Sequence, residues 1–159
     1  MPFSIFMLVA ASAVHPPACR PAQLRLSADG RGGEFNGMSH SGIELSISNR
    51  GPACTIPALP VVAFLDRGGV KLSTARQRSP GNDPAVARFV RLGPGQRAAV
   101  ELRWVSGPVF PRNKALKATK VAVQIGKSTL KLPISAKLYG PAGRAITFEQ
   151  SPAMLARTR

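Results

Sequence analysis

Carboxylates, histidines and large aromatics are what this sequence is short of. Seven Asp and Glu stand against twenty-two Lys and Arg, and two His, two Cys, one Trp and one Tyr are spread over 159 residues. Each shortage removes a class of function. His15 and His40 are the only histidines, and nucleophilic hydrolysis ordinarily needs a base beside the nucleophile. The run Gly37-Met38-Ser39-His40-Ser41-Gly42 has the wrong glycine spacing for a nucleophile elbow, and no helical pattern follows it. The acidic residues are scattered singly, with no D-x-D-x-D calcium loop and no adjacent pair of the glycosidase kind. Two cysteines far apart, with no His pair nearby, do not make a zinc set of four closely spaced ligands. Gly93-Pro94-Gly95 lies between strand patterns, not before a helix, so it is no phosphate cradle. These residues give no metal site, no cofactor and no catalytic constellation, and the expectation is a protein that is not an enzyme.

A sustained helical period is also missing, while fifteen Gly and fifteen Pro punctuate the chain. That combination points to many short strands joined by turns. The fold expected is all-β: an antiparallel immunoglobulin-like β-sandwich of about eight or nine strands. Residues 89–104, F-V-R-L-G-P-G-Q-R-A-A-V-E-L-R-W, are the centre of that reading. Val100, Leu102 and the lone Trp104 share one face, Glu101 and Arg103 the other, and Gly93-Pro94-Gly95 is taken as the turn of a hairpin. Ile43, Leu45 and Ile47 alternate in the same way within 39–49, and a first strand is expected over 23–28. Residues 61–65 are apolar on both faces, as in a central strand. Asp66-Arg67-Gly68-Gly69 turns into 70–72, and further strands are expected over 120–125, 128–132 and 145–148. Segments 73–83 and 106–113 have no period and are taken as loops that offer a protein partner a surface.

Residues 1–13, M-P-F-S-I-F-M-L-V-A-A-S-A, carry an apolar centre and end in a small-x-small pattern, as a signal peptide does, although no Lys or Arg precedes that centre. The run is too short to span a bilayer. Domain limits follow: a leader over 1–13, a β-sandwich over 14–150 and a flexible tail over 151–159, in a protein secreted or held in the periplasm. In an oxidising compartment Cys19 and Cys54 most simply pair with each other. A bridge closing a loop of that length contributes about 4 kcal/mol on loop-entropy grounds.

Charge is the largest departure from average composition, with a formal net of +15. From Arg112 onward there are ten Lys and Arg against Glu149 alone. Lys114, Lys117, Lys120, Lys127, Lys131 and Lys137 are candidates for a polyanion-binding surface, since such a surface attracts anionic polymers with salt-dependent strength. For an exported protein those are lipid head groups, lipopolysaccharide or wall polymers. Nucleic acid fits less well, because single-strand readers add aromatics for stacking and Tyr139 is the only tyrosine.

An ordered series of motifs adds to this. Cys19-x4-Leu24, Asn49-Arg50-Gly51-x2-Cys54-Thr55-Ile56, Leu59-Pro60-x-Val62-x-Phe64-Leu65-Asp66 and Val90-x-Leu92-x-Pro94-Gly95, with Leu102-x-Trp104 after it, occur in sequence. Together they resemble the secreted bacterial family catalogued as domain of unknown function 4232, over about residues 19–132. The resemblance implies an exported, often membrane-anchored, immunoglobulin-like domain, and supports the pairing of Cys19 with Cys54. The family pattern commonly adds a second cysteine pair beyond the Trp. Its absence here implies that 106–113 is held by packing alone.

Overall fold

The computed structural model describes residues 15–77 and 88–156, so the expected leader and residues 78–87 lie outside it. Eleven strands are described: β1 (Leu24–Asp29), β2 (His40–Asn49), β3 (Cys54–Pro57), β4 (Val61–Leu65), β5 (Thr74–Arg76), β6 (Phe89–Leu92), β7 (Arg97–Val105), β8 (Asn113–Ile125), β9 (Ser128–Pro141), β10 (Ile146–Gln150) and β11 (Met154–Leu155). Helix is confined to two 3-10 turns, Pro21–Gln23 and Arg31–Gly33. One layer has the order β1-β2-β7-β10-β5, with β11 also on β7. Facing it are the pair β3–β6 and the sheet β4-β8-β9. The pairs are antiparallel apart from β5 with β10. The all-β sandwich expected from the alternation is therefore the fold.

The two layers meet through one apolar cluster that includes Leu45, Ile47, Leu102 and Trp104 from the first and Ile56, Phe64, Leu92 and Val121 from the second. Trp104 and Phe148 are direct cross-strand partners. Phe64 of the opposite layer meets both edge-on, with centroids 5.7 Å and 5.1 Å away. Such T-shaped contacts place a positive ring edge on a negative ring face and add to the burial term. Trp104 is 5% exposed, on the inward parity the sequence assigned it.

Several expectations need correction. Residues 89–104 do not form a hairpin: β6 pairs with β3, Cys54 opposite Leu92, while β7 pairs with β2 in the other layer. Gly95 has φ +76° and Gln96 N–H donates to Gly93 O at 3.1 Å. With Pro94 before it, this is a type II turn, whose twist splays flanking strands instead of pairing them. The turn thus passes the chain between layers. β4 is the outer strand of its sheet, not a central one, and Val61 is 60% exposed. Strands β8 and β9 run well past the expected 120–125 and 128–132. Part of the 73–83 loop is strand β5.

Residues 151–156 are docked, where the flexible tail over 151–159 was expected; the last three residues lie outside the described ones. Ser151 Oγ accepts from Glu101 N, Ala153 N donates to Ala58 O at 2.7 Å, and β11 pairs with β7. Residues 106–113 are held by hydrogen bonds as well as packing: Ser106 N donates to Ser39 O, and Asn113 exchanges two bonds with the Phe110 backbone.

Cys19 and Cys54 form the expected disulfide. The chain before β1 lies along β3, with Cys19 N donating to Thr55 O and Thr55 N to Pro17 O, both at 2.9 Å. Beside the bridge, Asn49 is wholly buried. Its Nδ2 donates to Pro52 O and Leu92 O at 2.9 Å and 3.0 Å, and its Oδ1 accepts from Gly51 N and Gln23 Nε2, both at 2.9 Å. One amide thereby ties the end of β2 to the end of β6, to the residue before β1 and to the turn that follows β2.

Candidate functional site

The chain has seven lysines, the six candidates and Lys71, and fifteen of its basic residues are arginines. Register settles which face each lysine occupies, because directly opposed residues project to the same side of a sheet. On β9 the even-numbered residues are the more buried, so Lys131 and Lys137 point outward. Lys117 opposes Lys137, and Lys120 opposes Pro133, which shares the outward parity. All four lysines therefore stand on the outer face of β4-β8-β9.

That outcome depends on an irregularity. Lys117 and Lys120 are three residues apart and would face opposite ways along a regular strand. The ladder passes from Ala118 opposite Ala136 to Lys120 opposite Pro133, an advance of two residues on β8 against three on β9. The phase of β8 changes there, and both lysines end on the outside. Thr119, at the irregularity, has a buried hydroxyl without a protein hydrogen-bond partner.

Lys71 is the lysine that sequence reasoning missed. Its signal lay in the turn at Asp66-Arg67-Gly68-Gly69: Asp66 Oδ1 accepts from Val70 N at 2.8 Å, and Leu65 is bridged to Lys71. Leu65 also opposes Lys120, so Lys71, Leu65, Lys120 and Pro133 form one row across the outer face. Leu65 is only 6% exposed there. The lysine stems on either side supply apolar cover while the ammonium groups reach water. Lys127 sits at the exposed tip of the β8–β9 turn. Lys114 is not part of the face: it lies on the parity of Leu116 and Ala118, and its Nζ donates to the Arg144 carbonyl.

Strands β4, β8 and β9 contain no Asp or Glu, and Asp66, in the turn after β4, is the one acid next to them among the described residues. Three other acids gather on the far side of the sandwich. Glu44 and Glu101, separate in sequence, are direct cross-strand partners on the outer face of β2 and β7. Arg31 Nη1 lies 3.0 Å from Glu101 and 3.5 Å from Glu44, and its Nε lies 3.0 Å from Glu34. Below it, the Phe35 ring lies between the guanidinium groups of Arg31 and Arg103, at 5.6 Å and 5.2 Å. Gly42 makes room for that ring, since a Cβ there would meet Phe35 Cβ at 2.9 Å and Leu102 O at 2.5 Å. An open cleft of about 740 Å3 lies beside this network, lined by Asp29, Arg31, Glu34, Glu44 and Arg97. Every ion pair among the described residues involves Arg31, so the lysines have none there.

A family model described as a domain of unknown function (DUF4232) matches residues 19–149. The chain belongs to that family. No curated protein and no solved structure matches it. In this DUF4232 domain no group of three or more His, Cys, Asp or Glu among the described residues could hold a metal ion. His40 is exposed, with Nδ1 3.0 Å from Met38 O, and His15 is exposed ahead of the disulfide. No helix among the described residues is long and apolar enough to cross a membrane.

Proposed function

We propose that this protein is an exported, noncatalytic module that associates with anionic components of the cell envelope through the lysine face of β4-β8-β9. The observation that carries the proposal is the separation of charge: five lysines on one outer face whose strands β4, β8 and β9 contain no Asp or Glu, while Glu34, Glu44 and Glu101 converge on Arg31 across the molecule. The disulfide fits an oxidising compartment. Lysines Lys117 and Lys137 directly opposite one another weaken the sheet, since like charges in that position repel. A bound anion offsets that repulsion. The test is cosedimentation of the purified protein with anionic vesicles and with isolated envelope material over a series of salt concentrations. Attachment at low salt that is lost at moderate salt supports the proposal, and protein that stays in the supernatant throughout removes it.

A second reading places a protein partner on the loop end of the sandwich. Ser39 and Gly107 lie side by side there, and Met38 and Val109 next to them are 95% and 52% exposed. Pull-down of a defined protein that a Met38→Asp, Val109→Asp variant fails to capture favours this reading over the first.

A further inference from the structure

Resting on the envelope-binding proposal, we infer that the lysine face takes a linear polyanion, for which inorganic polyphosphate serves as the probe, laid along the β8–β9 ribbon, not an isolated anion or a bilayer. The positive groups form a stripe. Lys137 and Lys131 are six residues apart on β9, roughly 20 Å at the rise of a strand. Across the ribbon, Lys71 and Lys120 are separated by Leu65 alone, two strand spacings or roughly 10 Å. A compact anion reaches one row of this stripe, whereas a chain reaches all of them.

The floor of the stripe is mixed: Ala115, Ala122 and Ala63 share the outer face with the lysines, together with Leu65 and with Tyr139, whose ring lies 5.1 Å from Lys137 Nζ. A bilayer-docking surface adds exposed apolar groups to its basic ones. Here Met38, Phe89, Val109, Met154 and Leu155 are exposed elsewhere, and only two valines, Val61 at the far row of the sheet and Val70 beside Lys71, are large exposed hydrophobics at this face. The choice of lysine over arginine points the same way. A guanidinium fixes a bidentate geometry, while an ammonium on a flexible stem follows a mobile charge. Fifteen arginines in the chain and none on β4, β8 or β9 indicate attraction without fixed stereochemistry.

The experiment compares full-length protein binding to inorganic triphosphate and to a long inorganic polyphosphate chain at equal total phosphate, over a series of salt concentrations. The expected result is much tighter binding per phosphate to the long chain, with log K against log salt falling with a slope of about −4 for five lysine contacts. Lys117→Gln, Lys137→Gln reduces the slope by roughly 1.5. Arg25→Gln, Arg50→Gln, which removes equal charge elsewhere, leaves the slope near the parent value. Thermal unfolding of each variant checks that it folds. Equal binding of triphosphate and long chain overturns the inference and leaves the envelope proposal standing. Binding to phosphatidylglycerol vesicles without binding to the polymer also overturns it, in favour of a lipid surface. No attachment to polymer or vesicle sinks both.

Discussion

Asn49 shows how much of this fold one polar side chain can hold. Its amide, itself closed to water, satisfies carbonyls of Pro52 and Leu92 and accepts from Gly51 and Gln23, the Leu92 bond fully buried. Asn49→Ala leaves several of those groups buried and unpaired, and we expect it to lower unfolding free energy by about 3 kcal/mol. A urea midpoint within error of the parent would contradict that. Arg31 acts on the opposite side of the sandwich. Without it Glu44 and Glu101 face each other unneutralised, so Arg31→Ala should cost about 1 kcal/mol, the modest figure reflecting partly exposed partners. At this scale the sequence was legible where one side chain announces its own environment. The inward parity of Trp104 and the pairing of Cys19 with Cys54 needed only alternation and an even cysteine count. Asn49 stood in the sequence only as the end of an alternating stretch and the start of a motif, because its partners come from three other parts of the chain.

Elements were located more readily than their partners were. β6 and β7 are where the alternation puts them, but they belong to different layers. The signal against a hairpin was present in Pro94-Gly95, which specifies a type II turn. β8 and β9 were recognised only near their shared turn. Residues 113–119 are rich in Ala and Lys, and Pro133 interrupts the other strand, so neither stretch looks extended until pairing supplies the hydrogen bonds. The docked tail was hidden for the same reason, since Met154 and Leu155 gain order from β7. Truncation after Gln150 removes hydrogen bonds to β7 and to Ala58, and should lower stability by about 2 kcal/mol in urea unfolding. Lys117→Glu tests the opposed pair in the ribbon. It replaces a repulsive cross-strand contact with an attractive one, so stability should rise by up to about 1 kcal/mol while attachment to anionic material weakens. Lower stability in that variant would show that the pair is not under electrostatic strain.

For the whole molecule, the feature that matters is which charges share a side. Net charge and the run of lysines were plain in the sequence, and they were enough to nominate a basic surface. They did not show that Lys71 joins it across the Asp66 turn, that Lys114 leaves it, or that a phase change in β8 aligns Lys117 with Lys120. Those facts depend on register, which is fixed by the pairing of distant strands. The acids converge on Arg31 by the same kind of long-range pairing, Glu44 on β2 with Glu101 on β7. The two outer faces therefore differ in charge although the chain is basic along most of its length.

Because the lysines number only seven, each can report on contact individually. The most direct measurement is amine acetylation at limiting reagent, read by mass spectrometry residue by residue, with and without long-chain polyphosphate. The account predicts protection of Lys71, Lys117, Lys120, Lys131 and Lys137 as a group, with Lys114 unchanged. Uniform protection of all seven, or protection centred on Lys114, would contradict it.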